Sequence, residues 1–138
     1  MDARKTGVVT QVIGPIVDVA FEAQLPGLNE ALVVKNQKGE PVTLEVSQHL
    51  GGGAVRTVAM TTTDGLARGI EAVATGAPIS VPVGKAVLGR IMNVLGEAVD
   101  GGASLSGGKR RAIHQLPPSL DQQSGKIEIL ETGIKVID

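Results

Sequence analysis

The chain has no cysteine, tryptophan or tyrosine, a single phenylalanine and two histidines among its 138 residues. Without cysteine there is no disulfide framework and no thiolate metal site. His49 and His114 lie far apart and lack the spacing of a metal-ligand pair. The near-absence of aromatics removes the stacking platforms on which single-stranded nucleic acids are held. A formal net charge of -1 likewise removes the electrostatic grip expected of a nucleic-acid or anionic-membrane binder. No apolar run approaches the ~20 residues that a membrane-spanning helix needs. The opening Met1-Asp2-Ala3-Arg4-Lys5-Thr6 lacks the apolar stretch of a signal peptide. These absences lead to the expectation of a soluble chain from a reducing compartment, with no nucleic-acid partner and no direct membrane insertion.

What is present is glycine, at 19 residues, and many short runs of Val, Ile and Leu. Branched side chains favour the pleated surface of a sheet, and frequent glycine supplies turns with positive φ. Val8 to Ile13 and Ile16 to Phe21 read as strands separated by a bend at Gly14-Pro15, because proline donates no ladder hydrogen bond. Ala31 to Val34 forms another short strand, and Asn36 to Pro41 a polar hairpin loop. Val42, Leu44 and Val46 alternate with Thr43, Glu45 and Ser47, the cleanest period of two in the chain. After the turn Gly51-Gly52-Gly53, Val55 to Met60 is a strand with Val58 and Met60 on one face. Gly69 to Val73 is a last short strand, and Gly76-Ala77-Pro78 suggests a change of direction. The sum is about six strands with short connections, the pattern of a small closed barrel. A domain of this size buries only about 60% of its unfolded surface, which favours support from neighbours.

The second segment differs. Residues 103–111 form a polar loop ending in Lys109-Arg110-Arg111, and residues 112–124, with Pro117-Pro118, should be extended and irregular. Thr132 is placed as the N-cap of a helix beginning at Gly133 and cut off at Asp138. The fold expected is mainly β: a six-stranded N-terminal barrel over residues 1–79, then the incomplete start of an α/β nucleotide-binding domain over 80–138. No internal repeat is evident.

A phosphate-binding loop requires Gly-x-x-x-x-Gly-Lys followed by Ser or Thr, so that backbone N–H groups wrap a phosphate, lysine neutralises it and the hydroxyl holds Mg²⁺. Gly84-Lys85, Gly108-Lys109 and Gly125-Lys126 all fail: Ile79, Ala103 and Leu120 stand at the first-glycine position, and Ala86, Arg110 and Ile127 follow the lysine. All three read as loop glycines with solvated lysines. The basic run 109–111 reads as a solvated loop or a subunit contact. Glu45 and His49 could form a catalytic pair, but residues four apart on one strand face are about 13 Å apart. His114 is expected to hydrogen-bond a backbone group. Asp64 and Glu71 have no evident carboxylate partner, and no serine sits in a nucleophile elbow. The residues thus nominate no catalytic, cofactor-binding or metal site.

Four stretches, in order, resemble the catalytic beta subunits of the F-type rotary ATP synthases. Gly7-Val8-Val9 with Gln11 through Val19 is similar to that family's opening barrel strands. Val55 through Met60, with Thr63-Asp64-Gly65-Leu66 and Arg68-Gly69, resembles the end of the barrel. Thr75 through Gly84 and Leu88 through Glu97 resemble the entry into the nucleotide-binding domain, and Ile129 through Asp138 the helix ahead of the phosphate-binding loop. Met92, Ala98, Ala112 and Gln115 depart from the family's usual residues.

The resemblance implies a subunit that alternates with non-catalytic alpha subunits in a ring of six around a rotor shaft, at the cytoplasmic face of a bacterial inner membrane. That ring makes ATP from ADP and phosphate at the expense of an ion gradient. ATP, ADP and Mg²⁺ would bind beyond Asp138, so the present residues would serve assembly and rigidity and be inactive alone. The alternatives are the alpha subunit, a related rotary or secretion ATPase, and, in a different class, a free-standing barrel that binds RNA or a peptide.

Overall fold

The alternating Val, Ile and Leu runs become six antiparallel strands that close on themselves. The computed structural model describes residues 5–137. The strands are β1 (Thr6–Ile13), β2 (Ile16–Phe21), β3 (Glu30–Lys35), β4 (Pro41–Gly51), β5 (Ala54–Ala59) and β6 (Glu71–Pro78), in the closed order β1-β2-β5-β4-β3-β6. Two connections, β2 to β3 and β5 to β6, each cross two strands, and the rest join adjacent strands. Closure removes the unpaired edges through which a small sheet would otherwise aggregate.

One residue in two points inward, and these residues fill the barrel. Val9, Val17, Val19, Leu32, Val34, Leu44, Val46, Val55 and Ala72 are wholly buried, with Phe21 and Val42 nearly so. On β5 the inward set is Val55, Thr57 and Ala59, while Val58 lies on the outer face. Thr57 is tolerated inside because its hydroxyl donates to the carbonyl of Val17 at 2.7 Å. The lone aromatic, Phe21, stands opposite Gly7 in the β1–β2 register. A Cβ at Gly7 would lie 2.8 Å from the Phe21 ring and 2.7 Å from the Ala20 carbonyl oxygen. Glycine therefore makes room for the ring, and the ring covers the gap glycine leaves.

The regular alternation is interrupted. β1 shifts register between Val9 and Gln11, and β4 shifts between Val46 and Gln48 and again between His49 and Gly51. Gly76-Ala77-Pro78 is no change of direction: β6 runs through it, bulged, and pairs Pro78 with Glu30. The Glu30 carboxylate accepts the Gly76 N–H at 2.9 Å and the Gly27 N–H at 2.8 Å, and Thr75 Oγ1 donates to the Ala31 carbonyl at 2.9 Å. The bonds from Gly76 and Thr75 take the place of ladder pairs at the bulge, and the bond from Gly27 ties in the turn before β3.

At the scale of five residues the chain does repeat. Asn36-Gln37-Lys38-Gly39-Glu40 and Asn93-Val94-Leu95-Gly96-Glu97 build the same turn. In each, the asparagine Oδ1 accepts the N–H groups two and four residues on, at 2.9–3.0 Å. In each, its Nδ2 donates to the glutamate at 2.8 Å, and the glycine takes positive φ, 81° and 77°. The asparagine side chain acts as an extra backbone link, and glycine supplies a conformation that other residues adopt at a cost.

After the barrel, β7 (Ser80–Pro82) pairs with β8 (Arg110–Ala112) in a two-stranded sheet, with short 3-10 turns at Lys85–Val87 and Leu120–Gln122. The loop ending in 109–111 is therefore strand at its end. The expected helix from Gly133 is absent among the described residues: the Thr132 hydroxyl accepts the Ile134 N–H at 3.1 Å, and a turn follows at 135–137. The reason is cooperative. A helical nucleus is unfavourable until more turns or a packing face support it, and here Val136 is 95% exposed. Met1 to Arg4 and Asp138, the last residue of that expected helix, lie outside the described residues. Residues 80–137 show the two-stranded sheet and the short turns, and the expected start of an α/β nucleotide-binding domain is not shown among them.

Candidate functional site

Two of the three Gly-Lys pairs are brought side by side where β7 and β8 meet. Gly84-Lys85 opens the 3-10 turn, Gly108-Lys109 leads into β8 and Lys109 gives its carbonyl to the Val83 N–H at 2.8 Å. Lys126 forms an exposed pair with Glu128 at 2.8 Å. A 3-10 turn of three residues offers no helical N-terminus, and none of the three lysines is followed by a hydroxyl residue.

Of the two histidines, His49 makes no pair with Glu45, as expected, while His114 departs from expectation. His49 Nε2 is 2.9 Å from the carbonyl oxygen of the buried Pro26. His114 Nε2, expected on a backbone group, lies instead 3.0 Å from Glu45 Oε2, a partner 69 residues away in sequence. Glu45 and His49 stand four residues apart on β4, and the bulge at Ser47 also breaks the alternation between them. The Glu45–His114 contact resembles part of a catalytic dyad, but among the described residues no hydroxyl is hydrogen-bonded to it, so it lacks a nucleophile to activate.

The basic run is divided. Arg110 donates to the Ser80 carbonyl at 2.5 Å and to the Leu95 carbonyl at 3.2 Å, so it joins β7, β8 and the second Asn-x-x-Gly-Glu turn. Arg111, His114, Gln115 and Pro117 line a shallow polar groove. A second shallow groove runs along the outer wall between β3 and β6, lined by Val33, Lys35, Ile70, Glu71 and Val73. No group of three or more metal-ligating side chains is brought together among the described residues. No helix among them is long and apolar enough to cross a membrane.

Three polar arrangements escaped the sequence reading. Asp18 and Arg56 face each other across β2 and β5 and form a two-pronged pair at 2.9 and 2.8 Å. Hydrogen bonding to the Arg56 guanidinium holds the Asp18 carboxyl below its ordinary range, against the opposing effect of burial. Arg90 grips Asp100 in the same way, at 2.6 and 2.8 Å, and reaches the Ala103 carbonyl at 2.8 Å. Arg90 first, then the Gly102 and Ile91 N–H groups, drive the Asp100 carboxyl far below the usual carboxylate range. Glu30 with its two backbone donors is the third. A readable signal existed for one: Asp18 interrupts an apolar strand where a buried charge requires a partner. Each arrangement holds chain to chain, with both carboxylate oxygens of Asp18, Glu30 and Asp100 accepting from within the chain.

The strands β1 to β6 thus carry most of the ordered structure, and no cradle for a small molecule is assembled around the candidate residues. Comparison with known families agrees with this division. Residues 9–76 match the model described as ATP synthase alpha/beta family, beta-barrel domain, which alpha and beta subunits share. The match begins in β1 and ends inside β6, so it coincides with the barrel.

Proposed function

We propose, with a barrel of the ATP synthase alpha/beta family as the premise, that the chain is the N-terminal part of a catalytic beta subunit of an F-type ATP synthase. The observation that carries this reading is the family match falling on the strands of a closed barrel. The beta rather than alpha assignment is supported by Thr63-Asp64-Gly65-Leu66 and Ile129-Leu130-Glu131-Thr132, which look more like beta. The complete subunit would alternate with alpha subunits in a six-membered ring about a rotor shaft. It would make ATP from ADP and phosphate as ions cross a bacterial inner membrane, on whose cytoplasmic face the ring would sit.

In this reading the barrel joins its neighbours into a crown that holds the ring while other domains open and close. Val8, Ile13, Leu28, Leu50 and Val58 supply exposed apolar surface for such contacts. Phosphoryl transfer relies on positioning and electrostatic stabilisation: a phosphate cradle, a Mg²⁺ ligand and a group that orients the attacking water. The Gly-Lys pairs assemble none of these, so nucleotide chemistry would belong to residues beyond Asp138. Two measurements test the reading. The coding sequence after Asp138 should specify Gly-x-x-x-x-Gly-Lys-Thr, and its absence would remove the beta assignment. Calorimetry of the chain with Mg-ATP at physiological salt should give no heat of specific binding, and a one-to-one micromolar site would refute the division of labour.

A further inference from the structure

The segment that leaves β8 is anchored to the barrel at a point that the ladder does not explain. The β7–β8 ladder pairs Ser80, Val81 and Pro82 with Ala112, Arg111 and Arg110, and is extended when the Ile113 N–H donates to the Ile79 carbonyl at 3.0 Å. Beyond Ile113 the chain is exposed, and bonds such as Gln123 to Pro118 and Lys126 to Ser124 span five residues or fewer. Against that local background, His114 reaches Glu45 on the barrel wall at 3.0 Å. Glu45 is well placed to be an anchor. It pairs with Ala31 on β3 and Val58 on β5, and its neighbours Leu44 and Val46 are wholly buried, so its backbone is fixed from both sides.

We propose that the Glu45–His114 pair is a strut that sets the direction in which the chain leaves the barrel. Three holds then act in series on residues 110–114: the ladder, the Arg110 clamp on Ser80 and Leu95, and the strut to β4. An exposed ion pair between two mobile side chains contributes little, because ordering both offsets the attraction. Here much of that ordering is already done. Ile113 is held by the ladder one residue earlier, and the Glu45 side chain is only 20% exposed. With the proton on Nε2 the imidazole donates to the carboxylate whether or not the ring is charged. The strut is independent of the proposed place in a rotary enzyme, and its failure would leave that reading untouched.

The test is ¹⁵N relaxation on the full 138-residue chain, comparing the parent with Glu45→Ala, His114→Ala and the double variant. The expected result is a fall in the heteronuclear NOE of residues 113–116 toward coil values in each single variant. The double variant should add no further fall, as coupled partners require. Barrel amide shifts away from β4 should stay in place, and Glu45→Ala should move the His114 ring resonances. Unchanged NOE values at 113–116 in both single variants would overturn the proposal, as would falls that simply add in the double variant. His114 lies outside the barrel, so His114→Ala keeps the test open if the change at Glu45 disturbs β4.

Discussion

Single residues decide where this chain bends and what it can bury. The two Asn-x-x-Gly-Glu turns share a geometry but sit in different surroundings. A Cβ at Gly39 would meet nothing within 4 Å, whereas one at Gly96 would overlap the Pro82 ring and lie 3.2 Å from Val81 Cα. Gly39→Ala should therefore cost only the left-handed backbone, about 1–2 kcal/mol, read as a drop of several degrees in the barrel's thermal midpoint. Gly96→Ala should leave that midpoint unchanged and detach the second turn from β7, seen as shifts of the Val81 and Val83 amide resonances. Asp18 offers a test in pH. Its folded carboxyl titrates below the ordinary 3.8, so the stabilisation from Arg56 is complete above the unfolded value and is lost as pH falls through the folded one. Asp18→Asn should lower unfolding free energy by about 2 kcal/mol at neutral pH, the scale of a hydrogen bond to a charged group. That difference from the parent should hold above about pH 5 and shrink below about pH 4, measured by urea unfolding across the series.

Among the elements, the strands were legible and their irregularities were not. Val17, Val19 and Phe21, and Val42, Leu44 and Val46, alternate because one face of each strand is buried, so a local pattern reveals them. A bulge is a property of a strand pair. The extra residue at Ser47 and the bulged 75–77 stretch of β6 depend on what lies opposite, which no single stretch of sequence displays. The same reason hid the His114 contact, since its partner is 69 residues away. The expected helix at 133–138 failed for the converse reason: its capping signal is local, but helices of this length rely on packing. The β6 bulge gives a test at this scale. Glu30→Ala removes the acceptor of the Gly27 and Gly76 N–H groups, both on exposed residues that water can reach, and should cost about 1–2 kcal/mol for two lost hydrogen bonds. Glu30→Gln should rescue it only in part, because one of its two terminal atoms is itself a donor. Denaturant unfolding of both variants checks the order.

At the scale of the whole molecule, order is unevenly distributed. The barrel has a continuous apolar interior, while Leu116, Leu120, Ile127, Ile129 and Leu130 beyond it are all more than 80% exposed. Apolar surface in that quantity is costly in water and calls for a covering surface. The proposed rotary subunit accounts for both halves, with neighbouring barrels meeting the first and a completed nucleotide-binding domain covering the second. A free-standing RNA-binding barrel accounts for neither, and filter binding at low salt should show no tight complex with a steep salt dependence. The most direct test of the assembly role is native mass spectrometry of the complete subunit mixed with its alpha partner, with residues 1–77 present or deleted. The account predicts six-membered rings with the barrel and none without it; rings of equal abundance and stability after the deletion would contradict it.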